Sequence, residues 1–218
     1  MGQILHIEGI FGSGKTTSSA DLADRFNTEG IRASWYLEEA KDHPISPEHV
    51  RRDSRKPDYL GVLLRAWEDF LRQSSAHWCV LDGYAFQNTV RFLFEQQYPR
   101  SVVDSYFRDW VLLGGERHRL VYLFVHSPRE HVQGLIALRG TDWANKVASY
   151  IEQTPLGRQH NMRGVLGLID YVDQYQALCL ELLANSQLRK VIVPAKVREW
   201  TAKDVSIIVR GDLDQLGR

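Results

Sequence analysis

Only two of the 218 residues are cysteine. Cys79 falls in an apolar run and Cys179 in a helical pattern, so both read as buried free thiols rather than a disulfide, a metal site or a nucleophile. An excess of charge is lacking too, because Lys plus Arg and Asp plus Glu both number 27. Balanced charge gives no bulk attraction to nucleic acid or to an acidic membrane, which leaves a small molecule as the expected partner. No apolar run approaches the roughly 20 residues of a membrane span, and no basic-then-apolar leader opens the chain, so a cytoplasmic location is expected. Repeats, low-complexity tracts and Pro/Gly/Ser linkers are also missing. Residues 1–218 are therefore expected to form one domain.

What the sequence does have is concentrated near its start. Gly9, Ile10, Phe11, Gly12, Ser13, Gly14, Lys15 and Thr16 fit the Walker A pattern G-x-x-x-x-G-K-[ST]. The short apolar run Ile4–Ile7 before it reads as a strand. Thr17 to Phe26 after it reads as a helix with Ala20, Leu22, Ala23 and Phe26 inward. Gly12 and Gly14 let the backbone curl so that successive N–H groups face one concavity, and the helix N-terminus adds its positive dipole end. Lys15 is the mobile cation for the outer phosphates, and the Thr16 hydroxyl is a ligand for Mg²⁺. Residues Gly9 to Thr17 are thus the expected nucleotide-binding segment.

Beyond the loop, apolar strands alternate with helical patterns. Ile31–Glu39, the run into Asp82, Leu120–Val125 and "RKVIVPA" are the further strands. "YLGVLLRAWEDFLRQ", Tyr59 to Gln73, shows a helical stripe. "TVRFLFEQQ" and "VVDSYFRDWVLLGG" read as helices broken around Pro99, and Ser127 with Pro128 opens another. "DWANKVASYIEQ", a long stretch from about Gly164 to Ala184, and a weaker one near the C-terminus complete the helices. The pattern predicts an α/β fold, a five-stranded parallel sheet covered by helices on both faces, with ligands at the carboxyl ends of the strands.

Residues at those ends are the candidates for chemistry. Asp82 closes the third strand and is positioned to face the metal or the acceptor. Gly83 follows it where motor-type ATPases carry a second acid, and "ANKVAS" has Ala148 where a GTPase needs Asp, so both of those readings are poor. Glu38 and Glu39, with Asp42 and His43 just beyond, make an acceptor wall that includes a candidate base, while a solvated acidic loop is the plain alternative. Arg139 begins a basic segment continuing through Lys146, Arg158, His160 and Arg163, either a lid over the transferred group or an exposed helix of ion pairs. Trp143, Tyr150, Tyr171 and Tyr175 line a pocket or, at helical spacing, belong to the core. "VPAKVREW" is where a base would stack.

Together "GIFGSGKTT", the acid-terminated second strand, "LDGY" and "HSPREHVQGLIALRG" resemble the thymidylate kinase and deoxynucleoside kinase branch of the P-loop kinases. The segment from Asp142 to Val172 is similar to that of bacterial thymidylate-kinase-like proteins. The chain departs from the pattern on the acceptor side, with Gly83 in the place of an arginine and "LEEAKDHP" in place of a Glu-Pro-Gly-Gly turn. The resemblance implies a three-layer P-loop fold with a helical lid or specificity segment around residues 139–165. It further implies use of ATP and Mg²⁺ to move a γ-phosphoryl group to a small-molecule acceptor. In that expectation Lys15, Asp82, Arg139 and Glu39 are catalytic, Thr16 and Asp82 hold the metal, and a homodimer is compatible. A nucleoside or nucleoside monophosphate kinase and an ATP-binding switch protein are the alternatives.

Overall fold

The computed structural model describes residues 2–38, 40, 43, 45, 58–74, 77–195 and 199–216. Glu39, Asp42 and residues 196–198 of "VPAKVREW" lie outside the described residues. Five parallel strands form one sheet: β1 (Gln3–Gly9), β2 (Ala33–Tyr36), β3 (Trp78–Asp82), β4 (His118–Phe124) and β5 (Arg189–Pro194). Their spatial order is β2-β3-β1-β4-β5. β1 therefore sits in the middle, paired with β3 on one side from Gln3↔Trp78 to Ile7↔Asp82 and with β4 on the other from Ile4↔His118 to Gly9↔Leu123.

The helices are α1 (Lys15–Thr28), α2 (Tyr59–Gln73), α3 (Arg91–Glu95), α4 (Arg100–Gly114), α5 (Pro128–Arg139), α6 (Thr141–Gln153), α7 (Pro155–Gln159), α8 (Gly164–Ala184) and α9 (Ala202–Arg210). A single π-helical turn, Ala85–Val90, leads into α3. Right-handed crossovers place the connection from β1 on one face and those that move the other way on the opposite face. The two cores reflect this. Leu5, Ile7, Val80, Val121 and Leu123 pack with Leu22 and Phe26 of α1 and Val205 and Ile208 of α9. Ile4, Leu81, Leu120 and Tyr122 pack with side chains of α2, α4, α6 and α8. The alternation of one strand between two cores is the period-2 geometry of a doubly covered sheet.

Several local signals act as expected. α2 begins and ends at Tyr59 and Gln73. Ser127 Oγ accepts from the Glu130 N–H, with Pro128 in the first turn of α5. Thr201 and Asp204 form a capping box at the start of α9. Cys79 and Cys179 are buried free thiols. β2 is shorter than the apolar run that predicts it, because as an edge strand it pairs only with β3, from Ala33↔Trp78 to Tyr36↔Leu81. Residues 139–165 form α6, α7 and their flanks, and α6 packs along α8. Among the described residues no helix is long and apolar enough to cross a membrane.

Candidate phosphate-binding site

The central strand ends in the glycine loop. Gly12 and Gly14 have φ of 73° and 92°, conformations that a side chain resists, and Gly14 sits at the N-cap position of α1. The chain can thus turn from β1 into a helix whose free N–H groups point back at the loop, which is the geometry that binds a phosphate. Lys15 is buried at 7% exposure, and its ammonium donates to the Ile10 carbonyl at 2.9 Å. Burial pulls its pKa below the usual lysine range, against the opposing pull of Glu38, then Asp82, then Glu8. Those three carboxyl groups come from the ends of β2, β3 and β1 and converge on one ammonium only because the three strands lie side by side.

Thr16 Oγ1 donates to Asp82 Oδ2 at 2.7 Å. A hydroxyl and a carboxylate so placed, next to a phosphate loop, form the hard-oxygen donor pair that suits Mg²⁺, which takes few protein ligands and fills its octahedron with water and phosphate oxygens. The donor set therefore fits the ion. Among the described residues no cluster of three or more His, Cys, Asp or Glu is placed to hold a metal ion.

Gly83, directly after Asp82, has φ of 61°. A Cβ there would stand 2.6 Å from Lys15 Cε and 3.3 Å from Glu38 Oε2, so the missing side chain is what lets the lysine and the acid approach this turn. His43 stacks on Tyr84 in the same turn, ring centroids 4.1 Å apart, and is buried there rather than facing solvent. Of the acidic wall read from the sequence, Glu38 is the member that the structure brings to Lys15.

Arg139 ends α5 on the surface, with its guanidinium over the Trp143 ring at 5.3 Å. Trp143 in turn meets Phe11 of the glycine loop edge-on, with centroids 6.1 Å apart, so an aromatic contact links Arg139 to the loop. Arg158 donates to the Gln153 carbonyl and Arg163 pairs with Glu152, so both tie back to the C-terminal end of α6. Tyr171 and Tyr175 are core residues; the hydroxyl of Tyr171 donates to Glu95 and that of Tyr175 to the Phe86 carbonyl. Trp200 is buried beneath α1, donating to the Ser18 carbonyl, and is placed for packing rather than for stacking on a base.

Three contributors escape a reading of the sequence. Glu8 is fully buried at the end of β1. His131 Nε2 lies 2.9 Å from the Phe11 carbonyl and braces the loop from α5; burial lowers its pKa, the Phe11 bond raises it and the Lys15 charge lowers it. Arg91, at the head of α3, carries a second positive charge within electrostatic reach of Lys15 and pairs with Glu95 at 3.3 Å. His131 lies within the "HSPREHVQGLIALRG" segment but nothing in it singles that residue out, and the acid immediately before Gly9 is the signal available for Glu8. Two clefts, of about 650 Å³ between α4 and α8 and about 420 Å³ between α3 and α8, are lined by no residue of the loop.

No protein-family model matches the sequence, and no curated protein matches it. Solved structures do share its architecture. The YorR protein of Bacillus subtilis, in complex with phosphorylated GDP, is 13% identical, with 99% of each chain covered and a TM-score of 0.54. The chain shares that protein's fold, a parallel sheet covered by helices on both faces. A deoxyadenosine kinase from M. mycoides with bound dATP matches at 13% identity, covering 98% of this chain and 100% of the other, with a TM-score of 0.47. A gluconokinase from Sinorhizobium meliloti matches at 18% identity, covering 98% and 90%, with a TM-score of 0.44. At 13% identity the likeness to YorR extends to the fold alone.

Proposed function

We propose that this chain is an ATP- and Mg²⁺-dependent phosphotransferase that moves the γ-phosphoryl group onto a hydroxyl of a small acceptor. The observation that carries the reading is the convergence of Lys15, the Thr16–Asp82 pair and Glu38 at one end of the sheet, around a glycine loop that opens a helix. Loop N–H groups from Gly9 to Thr17 and the Lys15 ammonium bind the β- and γ-phosphates and orient them. Bound through Thr16 and Asp82, Mg²⁺ supplies neutralisation of the charge on the phosphate oxygens. Glu38 takes the acceptor hydroxyl proton as its oxygen attacks the γ-phosphorus and the bond to the ADP oxygen breaks. Asp82 and Glu39, the acid next to Glu38 in the chain, are the other candidates for that role. Arg139, on the 139–165 segment that serves as lid, closes toward the phosphates from its seat on Trp143.

The test is ADP release from Mg·ATP with and without nucleosides, nucleoside monophosphates, aminoglycosides and other hydroxyl-bearing metabolites. Guanine nucleotides belong on the panel because the structurally similar YorR protein holds phosphorylated GDP. Stimulation by a base-bearing acceptor would narrow the activity to a nucleoside or nucleotide kinase. Lys15→Ala should abolish transfer while leaving the circular dichroism spectrum unchanged, and turnover retained by that variant would remove the kinase reading. Tight ATP binding with no stimulating acceptor would favour a nucleotide-driven switch.

A further inference from the structure

The end of β1 carries a carboxyl group that the proposed reaction does not use. Glu8 directly precedes the loop, and strand alternation turns its side chain to the face shared by Ile4 and His6. It is completely buried there. Oε1 accepts from two successive backbone N–H groups, Ala85 at 2.6 Å and Phe86 at 3.2 Å, while Oε2 is buried without a hydrogen-bond partner among the described residues.

Those two amides open the π-helical turn Ala85–Val90. Amides at a helix start have no carbonyl one turn behind them, and Tyr84, at the capping position, makes no side-chain cap bond. Their acceptor comes instead from a strand 77 residues earlier. A second tie lies alongside, since the Gly83 N–H donates to the Ile7 carbonyl at 2.9 Å. Both ties fall between Asp82, bonded to Thr16, and Arg91.

Resting on the nucleotide-binding reading above, we propose that Glu8 is a positioning residue. Through one carboxyl oxygen it fixes the turn from Asp82 to Phe86 against the end of β1, and so sets the geometry in which Lys15, Thr16 and Asp82 receive a nucleotide.

The electrostatics agree with this placement. Burial pushes the Glu8 carboxyl up to about 8, against the lowering pull of Lys15 and the two amides, and Glu38 adds to the rise. The groups that face it are Lys15 from α1, Glu38 beyond β2, Tyr122 from β4, and Tyr175 and Cys179 from α8. Burial raises the two phenols and the thiol as well, so they stay neutral. The upward shift favours the uncharged carboxylic acid in this turn. Once ionised, it competes with a phosphate for the same ammonium, and a bound phosphate must raise its pKa further.

The experiment is calorimetric titration of wild type, Glu8→Gln and Glu8→Ala with Mg·ATP and Mg·GTP, in two buffers of different ionisation enthalpy, on either side of the Glu8 pKa. Glu8→Ala should bind about tenfold more weakly at neutral pH, the effect of orphaning buried amides. Glu8→Gln, which keeps an acceptor oxygen and no charge, should recover most of that loss. On the alkaline side wild type should take up close to one proton per nucleotide and weaken, and Glu8→Gln should do neither. Wild-type affinity in Glu8→Ala, or undiminished proton uptake in Glu8→Gln, would overturn the proposal and, in the second case, assign the proton to Lys15. Should Glu8→Ala not fold, the Glu8→Gln comparison decides alone. If wild type binds neither nucleotide, the function reading falls and this proposal with it. If wild type binds and Glu8→Ala matches it, only this proposal falls.

Discussion

Replacing His118 with leucine should make the protein more resistant to acid. His6 of β1 and His118 at the start of β4 are fully buried, with ring centroids 4.9 Å apart, against Trp67 and Trp110. Neither ring has a hydrogen-bond partner among the described residues. Burial, helped by Arg117, pulls the His118 pKa down to about 3, and burial with the charges of His118 and His43 takes His6 well below its usual 6.5. Between pH 6.5 and 3 the unfolded chain binds a proton that the native His118 refuses, so stability falls as the pH drops through that window. The slope is about 1.4 kcal/mol per pH unit for one such group, which integrates to about 2 kcal/mol between neutral pH and roughly pH 5. Glu8 works in the opposite sense. Its raised pKa lets the native state keep a proton that the unfolded chain loses above 4.5, so its contribution is lost as the pH rises toward about 8.

Comparing His118→Leu with wild type cancels Glu8 and every other carboxyl group. The assay is urea unfolding of both proteins at neutral pH and at about pH 5. The variant should gain about 2 kcal/mol relative to wild type on acidification. Equal losses in the two proteins would mean that His118 is protonated or hydrated in the native state, and would refute the reasoning. The absolute difference at neutral pH is less informative, since it mixes repacking beside Gly114 with the removal of an unpartnered polar ring.

Two variants test the site directly. Glu38→Gln should lower kcat for the acceptor identified by the panel by a factor of about 10² to 10⁴ with little change in ATP binding. An unchanged kcat would pass the base to Glu39 or Asp82. Gly83→Ala should destabilise by about 1–2 kcal/mol through its left-handed backbone and weaken Mg·ATP binding, because its Cβ would press on Lys15 Cε at 2.6 Å. Wild-type nucleotide affinity in that variant would show that Lys15 moves aside without consequence.

Local chemistry wrote part of this structure into the sequence. The glycine loop, the helix Tyr59–Gln73 and the Ser127–Pro128 start depend on residues close together in the chain, whose φ preferences, side-chain spacing and capping act without tertiary help. Lys15, Thr16 and Asp82 were legible for the same reason, two from the loop motif and one at the end of a fully buried strand. Long-range pairing lies beyond such signals. Only the order β2-β3-β1-β4-β5 brings the ends of three strands together, and with it Glu38 and Glu8 to Lys15. The bond from Glu8 to Ala85 and Phe86 spans more than seventy residues, and no property of either segment alone announces it. The aromatics of the 139–165 region and of α8 divide in the same way. Spacing puts them on helices, but burial sends Tyr171 and Tyr175 to the core and leaves Trp143 between Phe11 and Arg139. The sequence by itself determined the glycine loop and the helix that it opens. The tertiary structure decided which distant charges surround it, because a charge acts through space and not along the chain.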